Sequence, residues 1–161
     1  MKQCSKRNRI LIIDHQRGGS SMKQCSKHKR ILIIDHQAYW RELSTQALED
    51  VGFYVRTLAT YNQAPLQDCL KGEKLDLVVL GCTRVGDEEQ RLIAQVLSRR
   101  QHLLVLCVSL SLQIMRSLFL LGVDDIEDKP YNPERLITIV NQALASTIPR
   151  NGYQAVERAG I

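Results

Sequence analysis

A chain of 161 residues with 44% apolar side chains is long enough for one packed domain with appendages and short for two. Its formal charge of +5 is unevenly placed: residues 1–21 hold five of the 22 Lys/Arg and one of the 17 Asp/Glu, so the remainder is close to neutral and nucleic-acid binding is not expected. No apolar run reaches the roughly 18 residues that cross a bilayer, and five cysteines (Cys4, Cys25, Cys69, Cys82, Cys107) with no Cys-x-x-Cys pair and no signal peptide read as reduced, cytoplasmic usage.

The chain begins with a repeat. Residues 1–16, MKQCSKRNRILIIDHQ, return at 22–37 as MKQCSKHKRILIIDHQ; 14 of the 16 positions agree, the exceptions being Arg7/His28 and Asn8/Lys29. Solenoids need three or more units, and this is one strand with its leader, duplicated. Arg17-Gly-Gly-Ser-Ser21 separates the copies, and Met22 reads as the true start. Residues 1–21 are therefore expected to be an addition from cloning. A sheet has one place for its first strand, so the spare copy must stay out, pair at an edge or displace the original.

Residues 30–35, RILIID, predict a strand buried on both faces. Residues 39–51 place Leu43, Ala47, Leu48 and Val51 at helical spacing, and Gly52 ends the helix. A second strand is predicted at 54–58. A weaker helix follows at 63–71, with Pro65 tolerable only in its first turn. The third strand is predicted at 75–80 and the third helix at 87–98, with Leu92, Ile93, Val96 and Leu97 apolar. A fourth strand at 102–108, a helix at 112–121 ended by Gly122 and a short strand at 125–128 come next. The last helix has a clear start in Asn132, Pro133 and Glu134, and its stripe is Leu136, Ile137, Val140, Ala143 and Leu144. Strand and helix alternate five times. The expected fold is α/β, a doubly wound five-stranded parallel sheet of flavodoxin-like type, order 2-1-3-4-5, with ligands at the carboxyl ends of the strands. The expected organisation is 1–21 duplicated segment and spacer, 22–146 domain, 147–161 polar tail.

Two stretches carry a resemblance to a known family. One is the strand ending in Asp35 with a helix about three residues on. The other is Gly122-Val-Asp-Asp-Ile-Glu-Asp-Lys-Pro130. From residue 29 to 145 the chain resembles the receiver domain of two-component response regulators. The family places two acids after the first strand, a phosphate-accepting aspartate at the end of the third, a Thr or Ser after the fourth and a lysine before a usually cis proline. The acids hold a divalent cation, the aspartate attacks a phosphoryl donor, and the hydroxyl and lysine contact the transferred group. Carried onto this chain, the resemblance implies that the first acid is Asp35 and the second is replaced by His36. The acceptor position falls on Gly81, which has no nucleophile. The Thr/Ser position falls on Cys107, the aromatic switch position on Ile126 and the lysine on Lys129. Two of three cation-binding carboxylates are gone, so weak Mg²⁺ binding is implied. Asp76 is expected at the wrong end of its strand to replace them.

The resemblance thus implies a degenerate form, a pseudo-receiver. It is expected to be no enzyme, to need no cofactor or metal, and to act by protein–protein contact in a two-component type pathway. Asp35 and Lys129 are expected to form a structural ion pair. Two alternatives stand beside this: a phosphate-accepting receiver in a phosphorelay, and a metal or redox sensor using His36, Cys82 and Cys107. Imidazole with thiolates suits Zn²⁺, but the spacing matches no zinc motif, and a buried Cys is commonly a small hydrophobe. The fourth helix carries Ile114, Met115, Leu118, Phe119, Leu120 and Leu121, more apolar side chains than one buried face takes. Met115, Phe119, Leu120 and Ile126 are expected to form an interaction face, used in a homodimer or for a signalling partner or output domain. Membrane attachment is not expected.

Overall fold

The computed structural model describes residues 28–72 and 74–146. The expectations for residues 1–21 and 147–161 lie outside them. The elements are β1 (Arg30–Asp35), α1 (Ala38–Asp50), β2 (Tyr54–Leu58), α2 (Gln63–Gly72), β3 (Leu77–Cys82), α3 (Asp87–Ser98), β4 (Leu103–Cys107), α4 (Leu112–Leu121), β5 (Asp125–Asp128) and α5 (Pro133–Ala145). All strand pairs are parallel, in the order β2-β1-β3-β4-β5. The flavodoxin-like doubly wound sheet expected from the alternation is the observed fold.

The pleat explains both layers. Successive β1 side chains point to opposite faces. Leu32 and Ile34 join one core cluster with Leu66, Ile93, Val96 and Leu118 from α2, α3 and α4. Ile31 and Ile33 join the other with Leu48 of α1 and Leu136, Ile139 and Val140 of α5. β3 and β4 are therefore apolar throughout and β1 is apolar between Arg30 and Asp35, while the edges β2 and β5 carry polar residues.

Helix ends follow their capping residues. The Asn132 side chain accepts a 2.8 Å bond from the Glu134 amide, with Pro133 in the first turn. Ser111 Oγ accepts from the Ile114 amide, and α4 stops at Gly122, whose φ of 105° is the left-handed conformation glycine permits.

Three expectations need correction. β3 starts at Leu77, not 75. Leu75 is buried, and Asp76 donates its amide to the Arg30 carbonyl (2.8 Å) and turns its carboxylate to the Arg30 amide (2.8 Å) and to Lys29 Nζ (3.2 Å), while the residue-by-residue register with β1 begins at Ile31 and Leu77. Val51 is not on the buried stripe of α1; it caps the helix and is exposed, and Ser44 is buried instead. On α4 only Leu118 is fully buried, and the exposed apolar residues are Leu112 (62%), Leu120 (59%) and Leu121 (54%). Of the expected interaction face, Leu120 is exposed, whereas Met115, Phe119 and Ile126 are half-buried. Ile114 and Ile126 lean on the core cluster. No described helix is long and apolar enough to cross a membrane.

Candidate functional site

Parallel register brings the carboxyl ends of β1, β3 and β4 into one row. Asp35 lies opposite Gly81, and Cys82 lies opposite Cys107. Cys107 in turn lies opposite Asp128, and the Lys129 amide donates to the Cys107 carbonyl at 2.9 Å. Lys129 therefore enters the row from the end of β5. The Lys129–Pro130 peptide bond is cis.

At the centre is a buried ion pair. Lys129 Nζ is 2.6 Å from Asp35 Oδ2, with the two side chains 0% and 3% exposed. Lys129 also donates to Gln37 Oε1 at 3.4 Å and sits 5.7 Å from the Trp40 ring centroid. The other carboxylate oxygen, Oδ1, accepts the Gln37 amide at 2.9 Å. Arg41 holds the Asp35 carbonyl at 2.8 Å. The carboxylate is thus satisfied on both oxygens, which a buried charge requires.

Gly81 explains how the carboxylate fits. A Cβ placed on Gly81 would overlap Asp35 Oδ2 and crowd its Cγ. The volume that a side chain at position 81 would enter is filled by the Asp35 carboxylate. Glycine is what the packing admits there.

Aromatic side chains close the row. Tyr61 is buried and its hydroxyl donates to the Gly81 carbonyl at 3.4 Å. Burial, reinforced by Cys82 and nearby carboxylates, pushes its phenol far above the ordinary range. On the other side, Tyr131 shares a hydrogen bond with the buried Ser44 hydroxyl and stacks 5.0 Å from Trp40. Ser44 also donates to the Trp40 carbonyl at 2.8 Å. Burial pushes the Tyr131 phenol up to about 12, against the opposing pull of the Ser44 bond.

The remaining candidates separate. His36 is exposed and turns away from Asp35; its Nδ1 lies 2.9 Å from the Ala59 carbonyl, and its ring packs on Tyr61 at 4.1 Å. Cys82 and Cys107 are buried. Cys107 Sγ donates to the Ser109 carbonyl at 3.2 Å, and burial pushes the Cys82 thiol well up. Among the described residues no group of three or more His, Cys, Asp or Glu could hold a metal ion. His36, Cys82 and Cys107 therefore do not make the soft donor set considered from the sequence. Asp76 lies at the amino edge of the sheet, as its position required.

Sequence reasoning missed Tyr61, Trp40, Ser44 and Tyr131. Trp40 and Ser44 share a helical face with Leu48, a signal the apolar pattern alone does not carry because serine interrupts it. Tyr131 follows Lys129-Pro130 directly and could have been read as their neighbour.

No family model matches the sequence, and no curated protein matches it. Solved structures do match in fold. A response regulator from Thermotoga maritima is 23% identical, with a TM-score of 0.66 over 74% of this chain and 99% of that one. A response regulator receiver domain protein (CheY-like) from Methanospirillum hungatei JF-1 is 25% identical, with a TM-score of 0.65 over 73% and 94%. NtrX from Brucella abortus, solved in complex with ADP, is 19% identical with a TM-score of 0.65, and the match takes 82% of this chain but 29% of that longer one. By these neighbours the fold is that of a CheY-like receiver domain.

Proposed function

We propose that this receiver-fold domain is a signalling module that works through protein–protein contact and takes no phosphoryl group at the strand end where receivers carry one. One observation carries the reading: the Asp35 carboxylate fills the space over Gly81 and is tied to Lys129 at 2.6 Å. Phosphoryl transfer to a side chain needs a free nucleophile and cations on the phosphoryl oxygens. Gly81 offers no nucleophile. Asp35 has one oxygen on Lys129 and the other on the Gln37 amide. Lys129, the cation, is neutralised internally and has no exposed side-chain surface. Tyr61 covers the row from the α2 side. A hard divalent cation, which takes six or more oxygens, would meet one carboxylate here, already paired. The receiver-like site then serves as a structural joint between β1, β3 and β5.

Signalling would be read from the surface. Leu112, Leu120 and Leu121 on α4 are the contact candidates, for a second copy or a signalling partner. An output domain is a further candidate partner, since the NtrX match occupies a minor part of a longer chain. The test is exposure to acetyl phosphate with Mg²⁺, read by intact mass. No gain of a phosphoryl group is expected. A stoichiometric, acid-stable and hydroxylamine-labile gain would sink the proposal in favour of the phosphorelay reading.

A further inference from the structure

We infer that Cys82 and Cys107 form a redox pair, closed to a disulfide by hydrogen peroxide and reopened by thiols. Each ends its strand, β3 or β4, and the two lie directly opposite in the register. Both belong to one core cluster, so both side chains leave the sheet on the same face. Neighbouring strands run about 4.8 Å apart, inside the roughly 4.4–6.8 Å between Cα atoms that a disulfide asks for. The Cβ atoms of a disulfide stand closer, at about 3.8 Å, so the two strand ends must draw in by about 1 Å. That movement falls on the last paired residues of both strands, and the strain it leaves makes the bond easy to reduce. Cys69, the third free cysteine among the described residues, lies on helix α2 instead.

The oxidant must be small. Cys107 is fully buried and Cys82 is 4% exposed, so Cys82 is the one an incoming molecule meets. Burial, with Cys107 beside it, pushes the Cys82 thiol well up, which makes the first step slow and reserves it for sustained peroxide. In that step the Cys82 thiolate attacks one peroxide oxygen. An S–O bond forms, the O–O bond breaks, and the leaving hydroxide takes up the thiol proton as water. Cys107 then attacks the Cys82 sulfur. The S–S bond forms, the S–O bond breaks, and a second water leaves with the Cys107 proton. The two thiols lose two electrons, and the peroxide is reduced to water. Closure reaches the surface as well. Cys107 Sγ donates to the Ser109 carbonyl at 3.2 Å and lies 3.5 Å from the Thr83 carbonyl. A disulfide sulfur has no proton to donate, so both bonds are lost. Ser109 leads through Leu110 to Ser111, the N-cap of α4, and to the exposed Leu112. Oxidation thus loosens the loop that holds the start of α4, a consequence for signalling that rests on α4 being the contact surface.

The test takes the full chain carrying Cys4→Ser and Cys25→Ser, which leaves Cys69, Cys82 and Cys107. It is treated with hydrogen peroxide, alkylated and digested with trypsin without reductant. Trypsin separates the pair, residues 75–84 from residues 101–116. The expected product, from a monomer, is these two peptides joined and lighter than their sum by two hydrogen atoms, with Cys69 left as the free thiol. Dithiothreitol should restore both thiols. Cys107→Ser should abolish the link and leave Cys82 as a sulfinic or sulfonic acid, since no second thiol intercepts the sulfenic acid. In the joined form amide exchange at residues 109–112 should speed up. Unchanged exchange there overturns the coupling to α4, while the oligomeric state of Leu120→Glu tests the contact surface separately. Free thiols at Cys82 and Cys107 once Met115 is fully oxidised overturn the pair, as does a link that involves Cys69 or joins two copies.

Discussion

At the scale of single residues, the molecule turns on the relation between Asp35, Gly81 and Lys129. Their contact is buried, so its parts are not interchangeable with surface charges. Removing one partner of such a pair costs about 3–5 kcal/mol, because the other is left charged and unpaired. Gly81→Ala should act like a broken pair, since its Cβ takes the space of the carboxylate. We expect Gly81→Asp alone to be destabilised for the same reason and to stay inert toward acetyl phosphate. Combining Gly81→Asp with Asp35→Gly returns one carboxylate to the row opposite Lys129. Urea unfolding should show the double variant more stable than either single one, a coupling of opposite sign to simple additivity. A double variant weakened by the sum of both would mean the carboxylate does not belong to that space. Tyr131 gives a pH test at the same scale. Its folded phenol is held up at about 12 against an ordinary 10.0, mainly by burial. The folded state thus keeps a proton that the unfolded state releases, so this stability is complete below pH 10 and is lost as pH rises toward 12. Tyr131→Phe should flatten stability across that window, apart from the change produced by Tyr61 and Cys82. An unchanged slope would show that Tyr131 is not the titrating group.

At the scale of elements, α4 is where pattern and burial part. Ile114, Met115 and Leu118 face the sheet side, while Leu112, Arg116 and Leu120 follow at a spacing of four along the outer side. The apolar excess noticed in the sequence is real, but its exposed part is Leu112, Leu120 and Leu121 rather than Met115 and Phe119. Leu120→Glu should therefore leave monomer stability within about 0.5 kcal/mol, as surface changes usually do. If α4 forms the contact between copies, the same substitution should move the sedimentation profile toward monomer. Loss of dimer with equal loss of thermal stability would instead place Leu120 in the core. β3 gives a smaller lesson. Leu75 looks like a strand residue because it is apolar and buried, yet β3 begins at Leu77, and Asp76 binds Arg30 at the start of β1 through both its amide and its carboxylate.

At the scale of the whole molecule, the sequence by itself determined the architecture. Apolar runs of strand length alternate with helical stripes, and short connections between them leave a doubly wound parallel sheet as the natural packing. Asn132 with Pro133, Ser111 and Gly122 mark helix ends because capping is satisfied within a few residues. The resemblance placed Asp35, Gly81, Cys107 and Lys129 at one edge, and the register puts them there. What only the tertiary structure decided is how those residues share space. Asp35 and Lys129 are 94 positions apart, and their 2.6 Å contact depends on the register of four strands at once. Which way His36 turns, whether Tyr61 lies over Gly81, and whether the Asp35 carboxylate occupies the place beside it are likewise settled across strands. Local periodicity reports which face a side chain is on; it holds no record of what fills the volume that face looks into, because that volume is made by segments distant in the chain.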